Sequence, residues 1–412
     1  MTEKIRTYIR RYYTQVVTSI AFYPAVIALV FLLISYVMLN IDFSEYGKSV
    51  KSRWDFLTLK DASTARTIAA TIAAGILSLT VFSFSMVMIL LNQAASNMSN
   101  RVLDSMIGNR FQQWVLGFYI GTIVYALFLL STIRDIDSGV LVPALSVYLL
   151  ILLTVVDIFL FIYFLHYITQ SVKYDTIIDR IHKQTRRRLE ELFPLEEIPK
   201  NAMLAFMDGY EVRATASGYY QGFNHKALLR LCAQNHWQVA FLFPVSAYVL
   251  QGVPFLKVHA PKSVTKEQEK ELRLLVEFYR SESIQISAYY GYRQLVEVAL
   301  KALSPGVNDP GTAVLSLQAV VDLLAFQVGH YPIQTLPDAD GDARVFIKEK
   351  HFEEIFEETL LPIWDYGHED RILQLEMERL LRQLQSQTAS QENIACIQAF
   401  LAQVQQKIGE RT

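Results

Sequence analysis

The sequence predicts a membrane α-helical protein, with four transmembrane helices followed by a cytoplasmic α+β region made of a small mixed sheet and a helical C-terminal part. Three observations lead there. Of the 412 residues, 52% are hydrophobic, and mean hydropathy is +0.23. The apolar residues gather in four runs of membrane-crossing length in the first part of the chain. Beyond Leu165 the apolar runs stop, and charged, amphipathic and alternating segments take over.

Residues 1–172 hold the four expected spans, at 20–39, 65–91, 114–132 and 140–165. Lys4, Arg6, Arg10 and Arg11, interleaved with Tyr8, Tyr12 and Tyr13, form a basic, aromatic segment suited to a cytoplasmic membrane surface. The first apolar run is full length and lacks a small-residue cleavage site, which predicts an uncleaved anchor. A polar connection from Asn40 to Ala62 follows, with Trp54 as an interface anchor and Asp61 or Ser63 to cap the next helix. The third span carries Gly117 and Gly121, a pair of small residues one turn apart that lets another helix approach closely. Arg134, Asp135, Asp137 and Gly139 make a polar turn into the fourth span. Four crossings return the chain to its starting side. The basic run Lys173, Arg180, Lys183 and Arg186 to Arg188 places both termini in the cytoplasm.

The second span is the unusual one. Steps of four and three residues from Thr64 pass through Ile68, Thr71, Gly75, Ser78, Phe82, Ser85, Ile89, Asn92, Ser96 and Ser99 before turning apolar at Leu103 and Met106. A repeat of 3.5 keeps one helix face toward a partner or an axis, and in lipid such faces are built from small residues. The helix is expected to run on from Ser63 to Gly108, which at 1.5 Å per residue approaches about 65 Å and takes its polar half out of the bilayer.

Residues 173–200 read as a charged linker helix ended by Pro194 and Pro199. Residues 201–262 read as a small mixed subdomain: a strand at Gly218–Phe223, a helix at His225–His236, a strand at Gln238–Phe243, and a hairpin from Tyr248 to Val258 turning at Gln251–Gly252. Residues 263–412 read as helical, with breaks at 304–310, 331–342 and 366–370.

LNQAASNMSNRVLDSM, then LGFYIGTIVYAL, and much later LVEVALKALSPGVNDPGTA resemble a DUF2254-like family of bacterial integral membrane proteins. The resemblance covers nearly the whole chain, and its sharpest motif is Ala302 to Ala313. Where the family usually has Ser-Pro-Arg after the second span, this chain has Ser99-Asn100-Arg101. The resemblance implies four spans, a cytoplasmic soluble region, the bacterial cytoplasmic (inner) membrane as location, and no established activity.

The candidate functional residues fall into four groups. Thr71, Gly75, Ser78, Ser85, Asn92, Ser96 and Ser99 form a seam that either lines a path or packs against a helix. Asp157 lies inside LLTVVDIFLFIYFL, where an acid is costly unless neutral, paired or facing water. Arg101, at the membrane exit, would set anion preference in a vestibule or hold a lipid phosphate. Ser304, Pro305, Gly306, Asn308, Asp309, Pro310 and Thr312 form a turn and helix start that serves either as a structural junction or as a binding loop.

His351 with Glu354, and His368 with Glu369 and Asp370, are the nearest approach to metal ligands, but neither spacing is a metal-site pattern. Cys232 and Cys396 have no redox or metal spacing, and the net charge of -2 gives no reason to expect nucleic acid. No cofactor motif, nucleophile elbow or P-loop occurs in the sequence. The expectation is therefore a non-enzymatic membrane protein without metal or cofactor, in the lipid bilayer as a homo-oligomer. Its leading role is channel-like or transport, with a cytoplasmic regulatory domain. The alternative is a non-conducting scaffold or sensor that binds a protein or small ligand on the cytoplasmic side, with its seam packed inside each four-helix bundle. A lipid enzyme acting through Asp157 is a third class.

Overall fold

A computed structural model describes residues 21–54, 59, 61–97, 110–133, 142–195, 209–279 and 282–410. The chain divides into two compact units, with the break between Lys173 and Tyr174. It is mostly helical, with mixed sheet confined to the second unit.

The first unit contains α1 (Phe22–Phe43), α2 (Glu45–Arg53), α3 (Ala62–Asn97), α4 (Arg110–Thr132) and α5 (Ala144–Ser171). All but α2 are long and apolar enough to cross a membrane. Gly117 and Gly121 do bring a neighbouring helix close. A Cβ at Gly117 would sit 2.5 Å from Ile27 Cδ1, and one at Gly121 would sit 2.7 Å from the Phe31 ring, so α1 is seated directly on α4. The core continues through Ala65, Ala69, Tyr125, Leu129 and Leu150. Asp61 Oδ1 accepts the amide of Thr64 and caps α3.

The connection that reads from sequence as polar holds a fully buried ion pair. It contains α2, and it buries Asp42 and Lys51 completely. Lys51 Nζ lies 3.3 Å from Asp42 Oδ1 and donates to the Val142 carbonyl at 3.1 Å. Asp42 also accepts from the amides of Leu145 (3.2 Å) and Ser146 (2.7 Å) and from the Ser146 hydroxyl (2.6 Å). The carboxylate thus caps the start of α5 where the helix dipole favours negative charge. Tyr125 OH donates to the Ser146 carbonyl at 3.1 Å and ties α4 to the same corner.

The second unit starts with α6 (Tyr174–Leu192). Its sheets use β1 (Tyr210–Arg213), β2 (Gly218–Phe223), β3 (Gln238–Phe241), β4 (Tyr248–Val249), β5 (Pro254–His259), β6 (Val276–Tyr279), β7 (Thr335–Pro337) and β8 (Ala343–Phe346). One sheet has the order β1-β5-β3-β8-β7, parallel only between β3 and β8, and a smaller antiparallel sheet has the order β4-β2-β6. The expected hairpin is replaced by something else. The chain does turn at Gln251–Gly252, where Gly252 takes a φ of +85°, but β4 pairs with β2 while β5 pairs with β1 and β3. Strands β6 and β8 come from stretches expected to be helical, and β7 from the break expected at 331–342, so both sides of residue 262 build the same two sheets.

The helices of this unit are α7 (His225–Asn235), α8 (Lys266–Leu274), α9 (Ala288–Leu303), α10 (Pro310–Gln327), α11 (Phe352–Gly367), α12 (Arg371–Gln387) and α13 (Gln391–Gly409). A Cβ at Gly291 would fall on the Thr185 side chain, so glycine is what lets α9 rest on α6. Among the described residues α10 is a fifth helix long and apolar enough to span a bilayer. At 18 residues it is the shortest and least apolar of the five, and it packs against α6, α9, α11 and α12.

Candidate functional site

Helix α3 has two faces, and the structure assigns them different tasks. Ala62, Ala65, Ala69, Ala73, Ile76 and Ser83 are buried against the unit. Thr71, Gly75, Ser78, Ser85 and Asn92 are exposed. A Cβ at Gly75 would meet nothing within 4 Å. Ser78 Oγ donates to the Ala74 carbonyl at 3.0 Å and Ser85 Oγ to the Val81 carbonyl at 2.9 Å, so both hydroxyls are satisfied on their own helix. The expectation attached to the scaffold alternative, that the seam packs inside each bundle, is not met. Alanine, small enough for close approach, fills the inward stripe instead. The side chain of Ser96, and all of Ser99 and Arg101, lie outside the described residues, as does the turn at 134–139.

Ser83 lies between the two outward serines along the chain but points inward, and leads to the second feature. It and Tyr119 of α4 help line a cleft of about 160 Å³, together with Met88, Gln113, Leu116 and Phe164. Behind them sits Asp157 of α5, with no exposed surface, beside Thr122 of α4. The four side chains are neighbours in pairs: Ser83 with Tyr119, Tyr119 with Asp157, and Asp157 with Thr122. Yet Ser83 Oγ, Tyr119 OH, Thr122 Oγ1 and both oxygens of Asp157 are buried without a partner in hydrogen-bond geometry. Sequence reasoning found Asp157 because a lone acid stands out in an apolar run. It missed Tyr119, Thr122 and Ser83, because hydroxyls inside membrane helices usually bond back to their own backbone and leave no distinctive pattern.

The Ser304–Thr312 motif is a closed helix junction. Asp309 accepts from the Thr312 amide at 3.1 Å and from its hydroxyl at 2.6 Å, and Pro310 opens α10. The Asn308 and Val307 amides donate back to Ser304, the Asp309 amide donates to Ala302, and Asn308 takes a φ of +48°. The amides of Val307, Asn308, Asp309 and Thr312 are therefore engaged within the motif itself. Pro305 and Gly306 are exposed on the turn.

Glu354 Oε2 accepts from the His351 amide at 2.8 Å at the start of α11, and Asp370 caps α12. Among the described residues no cluster of metal-ligating side chains forms.

In the second unit the half-buried Glu349 accepts from Tyr289 OH at 2.7 Å. Burial pushes its carboxyl up to about 7, against the opposing effects of the Tyr289 hydrogen bond and the Arg188 charge.

Apolar helices of spanning length around a buried intramembrane acid are the features of an integral membrane protein, and comparison agrees. Residues 17–383 match the model of a family described as predicted membrane protein (DUF2254). The chain belongs to that family. Among curated proteins it is similar to the uncharacterized protein Mb1321c of Mycobacterium bovis and to the uncharacterized protein Rv1290c of Mycobacterium tuberculosis. Each is 25% identical over 352 residues, which cover 82% of this chain and 67% of the relative. The uncharacterized protein MT1328 of M. tuberculosis is 24% identical over the same length. No solved structure matches the chain.

Proposed function

We propose that this DUF2254 protein is a four-span inner-membrane protein with both termini cytoplasmic. Copies assemble through the outward seam of α3 to form a channel-like or transport path, and the second unit regulates it from the cytoplasm. No covalent chemistry is assigned to it. One observation supports the assembly above the rest: α3 is the least buried apolar helix, with 11% of its hydrophobic window inside the chain against 22–44% for the other three of its unit, and its exposed side carries the small polar stripe. Such a stripe lets helices of neighbouring copies approach closely.

A second reading keeps the assembly and drops the path. Ser78 and Ser85 are already hydrogen-bonded to their own backbone, so their face needs no water and suits a dry contact between copies of a scaffold or sensor.

Two measurements separate these readings. Oxidising Ser78→Cys in native membranes is expected to give a cross-linked dimer of α3 across the copies; a monomer under every oxidant would remove the assembly. In liposomes, ion or solute flux that Ser78→Leu and Ser85→Leu abolish supports the path. Absence of flux in the parent protein under voltage, pH and osmotic steps leaves the scaffold.

A further inference from the structure

Among the described residues the oxygens of Asp157, Thr122, Tyr119 and Ser83 find no hydrogen-bond partner. We propose that Asp157, with Thr122, Tyr119 and Ser83, is an intramembrane proton-binding site reached from the cleft beside α3 and α4. It belongs to each single chain, because Ser83 faces inward while Ser78 and Ser85 face out, so it does not depend on the assembly described above.

The chemistry of the donor set selects the ligand. An ionised carboxylate at this depth requires a compensating positive charge. Among the described residues no basic side chain pairs with Asp157, although Asp42 of the same unit has Lys51. One carboxylate offers one negative charge, and the remaining oxygens are neutral hydroxyls. That set matches a single positive charge and is poor for a divalent ion, which takes six or more oxygens and usually several carboxylates.

Access is also built in. Ser83 and Tyr119 belong both to the cleft wall and to the cluster. Each hydroxyl can accept a proton's hydrogen bond on one side and donate on the other. A bare carboxylate cannot, so the two hydroxyls are the connection from the cleft to the acid.

A hydrophobic carbodiimide tests this on the full-length protein in liposomes. The reagent adds to a protonated carboxyl: the acid proton moves to a carbodiimide nitrogen, the carboxyl oxygen bonds to the central carbon, and rearrangement leaves a stable N-acylurea with no leaving group. Peptide mass spectrometry is expected to find dicyclohexylcarbodiimide on Asp157, with labelling that falls as pH rises. The adduct should be absent from Asp157→Asn, and Asp42 should stay unlabelled because it is ion-paired. Ser83→Ala is expected to slow labelling several-fold without changing its site, and this variant and the wild-type pH profile carry the test even where Asp157→Asn folds poorly. No adduct on Asp157 at any pH, a pH-independent rate, or equal labelling of Asp42 overturns the proposal. Protection by excess sodium at fixed pH would also overturn it, in favour of a metal cation.

Discussion

Two acids of the first unit are equally buried and differently equipped. Asp42 and Asp157 both expose no surface. Asp42 meets a lysine, two backbone amides and a hydroxyl at the start of α5. Asp157 lies about 18 Å further along the same helix by its rise per residue and has no partner in hydrogen-bond geometry. Burial alone therefore does not tell a fastener from a site; the set of donors does. A carboxylate with every lone pair answered locks its helices together. One whose lone pairs meet no donor in hydrogen-bond geometry fastens nothing, which is what the proposed proton site requires.

The largest expected effect breaks the fastener. Lys51→Met leaves Asp42 buried and uncompensated, and should cost about 3–5 kcal/mol of stability. The midpoint of thermal unfolding in detergent reads this out, and the double variant Lys51→Met with Asp42→Leu should recover part of the loss. If Lys51→Met costs less than about 1 kcal/mol, the corner is a surface contact by its energetics, where such pairs contribute little.

Glu349 in the second unit is an intermediate case, with one hydroxyl donor and a nearby arginine charge. Burial raises its carboxyl from the usual 4.5 to about 7. The sign follows from proton binding: in that interval the folded state holds more protons than the unfolded one, so stability falls as pH rises and levels off above about 7. Glu349→Gln keeps an oxygen for Tyr289 and removes the charge. It should be neutral near pH 4.5 and stabilise by at most about 3 kcal/mol above pH 7. Unfolding midpoints measured across that range check it, and a pH-independent difference would show that the carboxyl is better solvated than its surroundings imply.

Asp309 tests the same rule on a local scale. Both its oxygens are engaged by Thr312, so Asp309→Ala should cost about 1 kcal/mol through the lost cap of α10. A larger loss together with a changed ligand response would revive the binding-loop alternative.

What was legible in the sequence follows from how far each feature reaches along the chain. The four apolar helices of the first unit were visible because bilayer thickness imposes a length on them. Asp157 was visible because a charge in such a run is rare, and the Asp309 cap because its partner is three residues away. Asp42 and Lys51 were read only as loop residues, since their partners at Val142, Leu145 and Ser146 lie about a hundred positions away. The sheets were hard for the same reason. β3 pairs with β8 across a similar distance, and β4 is only two residues long, too short for alternation to announce it. On α3 the periodicity was legible but its direction was not: an alanine stripe and a polar stripe both recur at helical spacing, and only the packed neighbours show which one turns inward.

The smallest expected effect is the most discriminating. Asp157→Asn preserves shape at a carboxyl that has no partner in hydrogen-bond geometry among the described residues, so folding should change by less than about 1 kcal/mol, in contrast to the loss at Lys51. Replacing Asp157 by leucine carries the comparison further: if the acid is structurally idle, an apolar side chain of similar size should be tolerated or stabilising among Thr122, Tyr119 and Ser83. A loss of several kcal/mol from either substitution, measured as for Lys51→Met, would make Asp157 a second fastener, and the distinction between the two buried acids would collapse.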